Sequence, residues 1–222
     1  MKVEQFKDIH KGQRCFVIGT GPSLNKVNFS LIKNEILFGV NRLYKGYDKF
    51  DINCKYYGVS GNTDWILLHK DLLKLNTVLF SPHVGDGQKT VRCPVRSPHV
   101  FDGHFSKDPT KSLRGGGSVI ISICLQVAYY MGFSKVYLLG CDCDYTNQFY
   151  FDGTAPTDKE YAYARKVDSK NNLLTGDWSR IFNSYKTCKK VYEEAGREIV
   201  NCTVGGKLEI FRRQTLEDLF GI

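Results

Sequence analysis

An α/β fold is what this sequence predicts: a mainly parallel sheet with helices on both faces. Three observations carry that prediction. Short apolar runs alternate with helix-period segments along all 222 residues. Two of those runs, R-C-F-V-I from Arg14 and K-V-Y-L-L from Lys135, stay apolar after their first residue, as strands covered on both faces do. Both end at once on glycine, Gly19 and Gly140, where a chain leaving a parallel strand must turn sharply.

The elements follow in order. Residues 14–18 form the first strand and run into Gly19-Thr20-Gly21-Pro22-Ser23. A short helix ends over 31–34, and 36–40 is a second strand closing on Asn41. Residues 56–59 are a third. Trp65, Leu68, Leu72 and Leu75 recur at helical spacing, so 64–75 is a helix with Thr63 as its cap. Residues 77–80 are a strand broken by Ser81-Pro82, and 84–112 is turn-rich, with one strand-like stretch at 91–95. The helix over 117–131 starts at Gly116-Gly117-Ser118 and stops at Gly132. Strand 135–139 follows, then an aromatic and polar stretch over 145–176, suited to a lid. The chain closes with a helix over 178–195, a strand at 198–201, a Gly205-Gly206 turn, a strand-like run at 208–211 and a terminal helix capped by Thr215. The length fits one domain spanning 1–222.

Composition narrows the function classes. At 42% hydrophobic and 13% aromatic residues, the chain can bury a core and is not disordered. Its apolar runs are too short to cross a bilayer, and the N-terminus lacks the apolar stretch of a secretory signal. A cytoplasmic location is expected, with room for peripheral contact at the inner face of the membrane. A net charge of +8 favours an anionic partner. The basic residues are scattered and form no recognition motif, which sets nucleic acid aside. Eight cysteines without a C-x-x-C pair read as free thiols in a reducing compartment, not as a zinc site.

In a parallel sheet, the turns after the strands gather at one edge, where ligands of such folds bind. Gly19 and Gly21 match the first two positions of G-x-G-x-x-G, but Leu24 holds the third. Asn41 stands where a dinucleotide enzyme commonly has an acid for the ribose. This counts against a standard NAD site and suits base or ribose recognition, or simply a tied turn. Arg114, Gly116, Gly117 and Ser118 open the best helix and make a candidate anion site, or a glycine linker before a capped helix. It is not a Walker A loop. Asp142 and Asp144 can hold Mg²⁺, act as a base or cap a turn. Tyr145, Tyr150 and Tyr161 offer phenols to a departing phosphate, or pack a lid. All five histidines (His10, His69, His83, His99 and His104) lie in the first half, with His99 and His104 the better candidates for a base.

The order G-T-G-P-S-L, G-V-N-R-L-Y, R-G-G-G-S-V and Q-V-A-Y-Y-M-G-F-S-K-V-Y-L-L-G-C-D, with the closing N-C-T-V-G-G-K-L-E-I-F-R-R, resembles a bacterial group of uncharacterised and motility-associated proteins. That group is similar to glycosyltransferase family 42 sialyltransferases and to the archaeal 6-hydroxymethylpterin diphosphokinase. The resemblance implies a Rossmann-like sheet with an inserted lid, a GT-A-like variant. Along the sialyltransferase branch, it implies a CMP-linked nonulosonic acid as donor, a cell-surface glycan or protein as acceptor, and metal-independent inverting transfer. Gly19, Gly21, Pro22, Ser23 and Asn41 would then line the nucleotide. Arg114 to Ser118 would face the donor, Gly140 and Asp142 the cytidine or ribose, and Tyr145 and Tyr150 the phosphate. The family's general-base histidine has no counterpart in Gly176-Asp177-Trp178-Ser179, which leaves Asp177 or Asp142 for that role. The diphosphokinase branch implies ATP with Mg²⁺ on Asp142 and Asp144. A nucleotide-binding module without catalysis is the third reading.

Overall fold

The computed structural model describes residues 1–83, 89–96, 104–144, 149–155, 166–167, 173–174 and 179–222. Its centre is an eight-stranded parallel sheet. In chain order the strands are β1 (Arg14–Ile18), β2 (Leu37–Val40), β3 (Tyr56–Gly58), β4 (Val78–Ser81), β5 (Thr90–Arg92), β6 (Val95–Arg96), β7 (Leu113–Arg114), β8 (Lys135–Leu139), β9 (Lys166–Val167), β10 (Leu173–Leu174), β11 (Glu198–Asn201) and β12 (Arg212–Arg213). The main sheet runs β12-β11-β8-β1-β2-β3-β4-β5, while β6 with β7 and β9 with β10 form separate pairs.

Alternation explains the two layers. Cys15 and Val17 of β1 join Val136 and Leu138 of β8 in one core. Phe16 and Ile18 join Tyr137 and Leu139 in the other. Because both faces are covered, each of these strands reads as a continuous apolar run. The first core is capped by a π-helical segment, Ile120–Leu125, that continues into α3 (Gln126–Tyr130), and by α4 (Ser179–Glu194). The second packs under α1 (Tyr47–Phe50), α2 (Asn62–Leu72), the 3-10 turns Pro22–Lys26 and Phe29–Leu31, and α5 (Leu216–Phe220).

The chain order decides where a site can form. From β1 the chain moves outward through β2, β3, β4 and β5, then returns to lay β8 on the other side of β1. The direction of winding therefore reverses between β1 and β8, and the carboxyl ends of the strands at such a reversal are where open parallel sheets form their ligand crevice. Register places the two strand ends level, Ile18 beside Leu139.

Several expected elements shift. The helix expected over 64–75 is Asn62–Leu72, and its N-cap is Gly61 with no side-chain cap, so Thr63 lies inside the helix. In place of the strand expected at 208–211, the chain pairs only at Arg212–Arg213, because Leu208 and Phe211 turn into the core instead of pairing. The stretch 91–95 splits into β5 and β6. Thr215 does cap the terminal helix, its hydroxyl accepting from the Asp218 amide at 3.0 Å. Of the lid expected over 145–176, most residues lie outside the described ones. All eight cysteines are free thiols, and seven are buried.

Candidate functional site

The crevice between β1 and β8 is built by close approach. The Gly19 amide donates to the Leu139 carbonyl at 2.7 Å, and the Gly21 amide to the Gly140 carbonyl at 3.0 Å. A Cβ on Gly19 would strike the Gly140 carbonyl, and one on Gly21 would strike the Asp142 carboxylate. Neither glycine has a positive φ, so both are required by space and not by backbone conformation. Gly140 is different: it sits at φ +64, the left-handed conformation that lets the chain turn off β8 against Leu24.

Asp142 is clasped across this crevice. Its Oδ1 accepts from the Ser23 amide at 3.2 Å and its Oδ2 from the Ser23 hydroxyl at 2.7 Å. Burial outweighs these bonds and raises its pKa above the ordinary carboxylate value. Asp144 pairs with Lys207 at 2.9 Å, and its charge adds to the upward shift of Asp142. The two carboxylates are thus held by separate partners.

Asn41 lies one strand along the rim, at φ +47. Its Oδ1 is buried without a hydrogen-bond partner. Among the described residues, His83 Nε2 past the end of β4 is a second orphan on this rim, and Thr77 and Thr90 hydroxyls are two more elsewhere. Buried acceptors are rarely left unpaired, because doing so costs about 1–3 kcal/mol. Next to Asn41, the Arg42 guanidinium lies 4.0 Å from the centre of the Tyr150 ring and donates to the Thr154 hydroxyl at 2.9 Å. The chain after β8 doubles back here. The Phe151 amide bonds the Thr20 carbonyl at 3.0 Å, Asn25 bonds the Phe151 carbonyl at 2.9 Å, and the buried Phe151 ring packs on Phe50. Tyr150 is thereby held at the edge of the glycine turn.

The Arg114 to Ser118 segment reaches the same rim over β3. A Cβ on Gly58 would meet Val119, Ile123 and Cys124. Gln126, 1% exposed, organises this segment. Its Oε1 accepts from the Arg114 and Ser106 amides, both at 2.9 Å, and its Nε2 donates to the Arg114 and Ile121 carbonyls at 2.9 and 2.8 Å. The Arg114 and Gly115 amides are therefore already bonded, the latter to the Arg96 carbonyl. Gly116 is small because Ile121 and Ser184 pack against it, and Gly117 is exposed at φ +71.

The structure thus gathers Gly19, Gly21, Ser23, Gly140 and Asp142 into one crevice, with Asn41 beside it and Arg114, Gly116, Gly117 and Ser118 further along the rim. Pro22 is exposed and opens a 3-10 turn. Tyr145, Tyr161, Asp177 and His99 lie outside the described residues. His10 is on the opposite side, bonded to Gln13 and Tyr56. Sequence reading missed Gln126, Thr203, Lys207 and Arg213, which support the site from behind. Their only sequence signal was the Gly205-Gly206 turn. His83, stacked on Trp65 with ring centres 5.4 Å apart, was also passed over.

Residues 1–148 match the family described as 6-hydroxymethylpterin diphosphokinase MptE-like. The chain belongs to that family. No curated protein sequence matches it. Among solved structures, the MAf glycosyltransferase from Magnetospirillum magneticum AMB-1 is similar over 97% of this chain at 16% identity, with a TM-score of 0.60. The chain spans 37% of that protein's length. A variant of the sialyltransferase CST-II, solved in complex with CMP, is similar over 93% of this chain and 88% of its own, at 14% identity and a TM-score of 0.54. These likenesses establish a shared α/β fold. Among the described residues, no helix is long and apolar enough to cross a membrane.

Proposed function

We propose that this protein is a glycosyltransferase that takes a sugar, most simply a sialic-acid-like nonulosonic acid, from a CMP-linked donor. The acceptor is a cell-surface glycan or protein. The observation that carries this reading is the Asp142–Ser23 clasp at the winding reversal between β1 and β8. There the glycine turns after β1 and β8 pack backbone to backbone, next to an orphan acceptor on Asn41, and an anionic nucleoside binds along their rim. Gly19, Gly21, Pro22 and Ser23 line the nucleotide, and Asn41 Oδ1 accepts one of its N–H groups. Gly140 and Asp142 hold the cytidine or ribose side. Arg114, Gly116, Gly117 and Ser118 face the sugar. In the inverting step the acceptor oxygen bonds the anomeric carbon, the bond to the phosphate oxygen breaks, and a carboxylate takes the hydroxyl proton. Asp177 and Asp142 are the candidates, and the raised pKa of Asp142 suits a proton acceptor. Tyr145 and Tyr150 donate to the departing monophosphate.

The family match favours a second reading, transfer of diphosphate from ATP with Mg²⁺ on Asp142 and Asp144. The separate engagement of those two carboxylates, by Ser23 and by Lys207, weighs against it. Thermal shift with CMP, CDP, UDP, ATP and NAD, each with and without Mg²⁺, separates the two. Stabilisation by CMP without metal supports the glycosyltransferase. A response to ATP that strictly requires Mg²⁺ supports the diphosphokinase. Metal-free CMP binding with no release of CMP from any CMP-sugar, across glycan and protein acceptors, leaves a binding module.

A further inference from the structure

Asp142 is held from two sides. Ser23 meets its carboxylate, and the loop between β11 and β12 meets its backbone. The Thr203 hydroxyl accepts from the Cys141 amide at 3.1 Å, and the Lys207 amide donates to the Asp142 carbonyl at 2.7 Å. Gly206 sits at φ +76 and so close that a Cβ there would lie 2.6 Å from the Asp142 carbonyl oxygen. This loop has no regular structure of its own to fix its shape. The Arg213 side chain holds three of its carbonyls. Arg213 Nη1 donates to the Thr203 carbonyl at 3.0 Å and the Gly205 carbonyl at 2.8 Å, and its Nη2 reaches the Gly206 carbonyl at 3.3 Å. Its other edge is clamped by Glu209, with Nε at 3.0 Å from both carboxylate oxygens. The Glu209 carboxylate is largely exposed, so that ion pair by itself contributes little. What matters is that a planar fork is oriented to collect three carbonyls, which an ammonium cannot do with the same geometry. The register pairs Arg213 with Asn201, whose amide in turn bonds the Thr203 amide and the Leu208 carbonyl.

We infer that Arg213 is a positioning residue for the crevice, acting through the Thr203, Gly205 and Gly206 backbone on Asp142. It lies outside residues 1–148, so the C-terminal part of the chain completes a site whose glycine turns and carboxylate belong to the family-matched part. The inference rests on the nucleotide reading only where CMP is used as the probe. Its direct readout is the backbone on either side of the contact, the Cys141 and Lys207 amides.

The test takes the full chain as wild type, Arg213→Met and Arg213→Lys. Two quantities are measured: CMP affinity by calorimetry, and hydrogen exchange of the Cys141 and Lys207 amides, which bond the Thr203 hydroxyl and the Asp142 carbonyl. In Arg213→Met the loop loosens, these two amides exchange about tenfold faster while the β2 amides keep their protection, and CMP binding weakens about tenfold. Arg213→Lys shifts both in the same direction by less, and it carries the measurement should Arg213→Met fail to fold. Protection of the two amides unchanged from wild type in the folded variants overturns the inference, whatever CMP does. If wild type binds no CMP, the nucleotide reading fails by itself, while the amide exchange still decides the role of Arg213.

Discussion

Two desolvated polar groups at opposite ends of the sheet, one buried and one half-buried, show how differently one fold can treat a titratable side chain. His10, near the start of β1, is 7% exposed and stacks on Phe133. Both its ring nitrogens are satisfied, by Gln13 at 2.6 Å and Tyr56 at 2.7 Å. Asp142, past the end of β8, is also desolvated, but its neighbourhood leaves Asn41 Oδ1 without a partner. Burial lowers the pKa of His10 and raises that of Asp142; in both it disfavours the charged form. The first arrangement closes every bond and stabilises the fold. The second leaves the Asn41 acceptor without a partner one strand along the rim from the glycine turns.

Breaking the crevice has the largest expected effect. In Gly21→Ala the new methyl overlaps the Asp142 carboxylate, so the clasp must open. The fold loses about 1–3 kcal/mol, read as a lower melting temperature, and CMP binding falls by more than about tenfold. An Ala variant that binds CMP normally would show that the crevice is not the site.

The His10 end responds through stability alone. His10→Gln loses about 1–3 kcal/mol in denaturant unfolding and leaves CMP binding unchanged. The pH dependence has a definite sign. The folded-state pKa lies below the unfolded value of 6.5, so the unfolded chain takes up the proton first. The contribution of His10 is fully present above pH 6.5 and is lost as pH falls through the lowered folded value. Unfolding curves from about pH 7.5 to 5.5 should show stability dropping in wild type, and dropping less in His10→Gln.

Asn41→Gly sharpens the contrast most cleanly. It removes an orphan acceptor and relieves a left-handed backbone at φ +47. Stability rises by about 0.5–1 kcal/mol while CMP affinity falls, opposite signs that a purely structural residue would not give. The smallest effect on stability, though not on CMP binding, is expected from Asp142→Asn. At pH 7 the native carboxylate carries a burial penalty that the amide does not, so the melting temperature rises slightly.

Much of this was legible in the chain. Arg14–Ile18, Lys135–Leu139 and Glu198–Asn201 are strands with the expected bounds, because a strand buried on both faces leaves an unbroken apolar run ended by a turn residue. The gathering of the turns after β1, β2 and β8 at one rim was legible too, since it follows from parallel strands alone. Gln126 and Arg213 were not. Each works by collecting carbonyls or amides brought together by folding: Gln126 joins Ser106, Arg114 and Ile121, and Arg213 joins Thr203, Gly205 and Gly206. A side chain that reads backbone geometry leaves no spacing pattern behind.

Local chemistry in the sequence settled the kind of fold, the positions of the central strands and the glycine turns at their ends, because apolar periodicity and backbone sterics act over a few residues. Which turns face each other was decided only in three dimensions. The winding reversal between β1 and β8 brings Ser23 to Asp142 across 119 positions of chain, and no short-range rule encodes a contact that depends on the order in which strands are laid down.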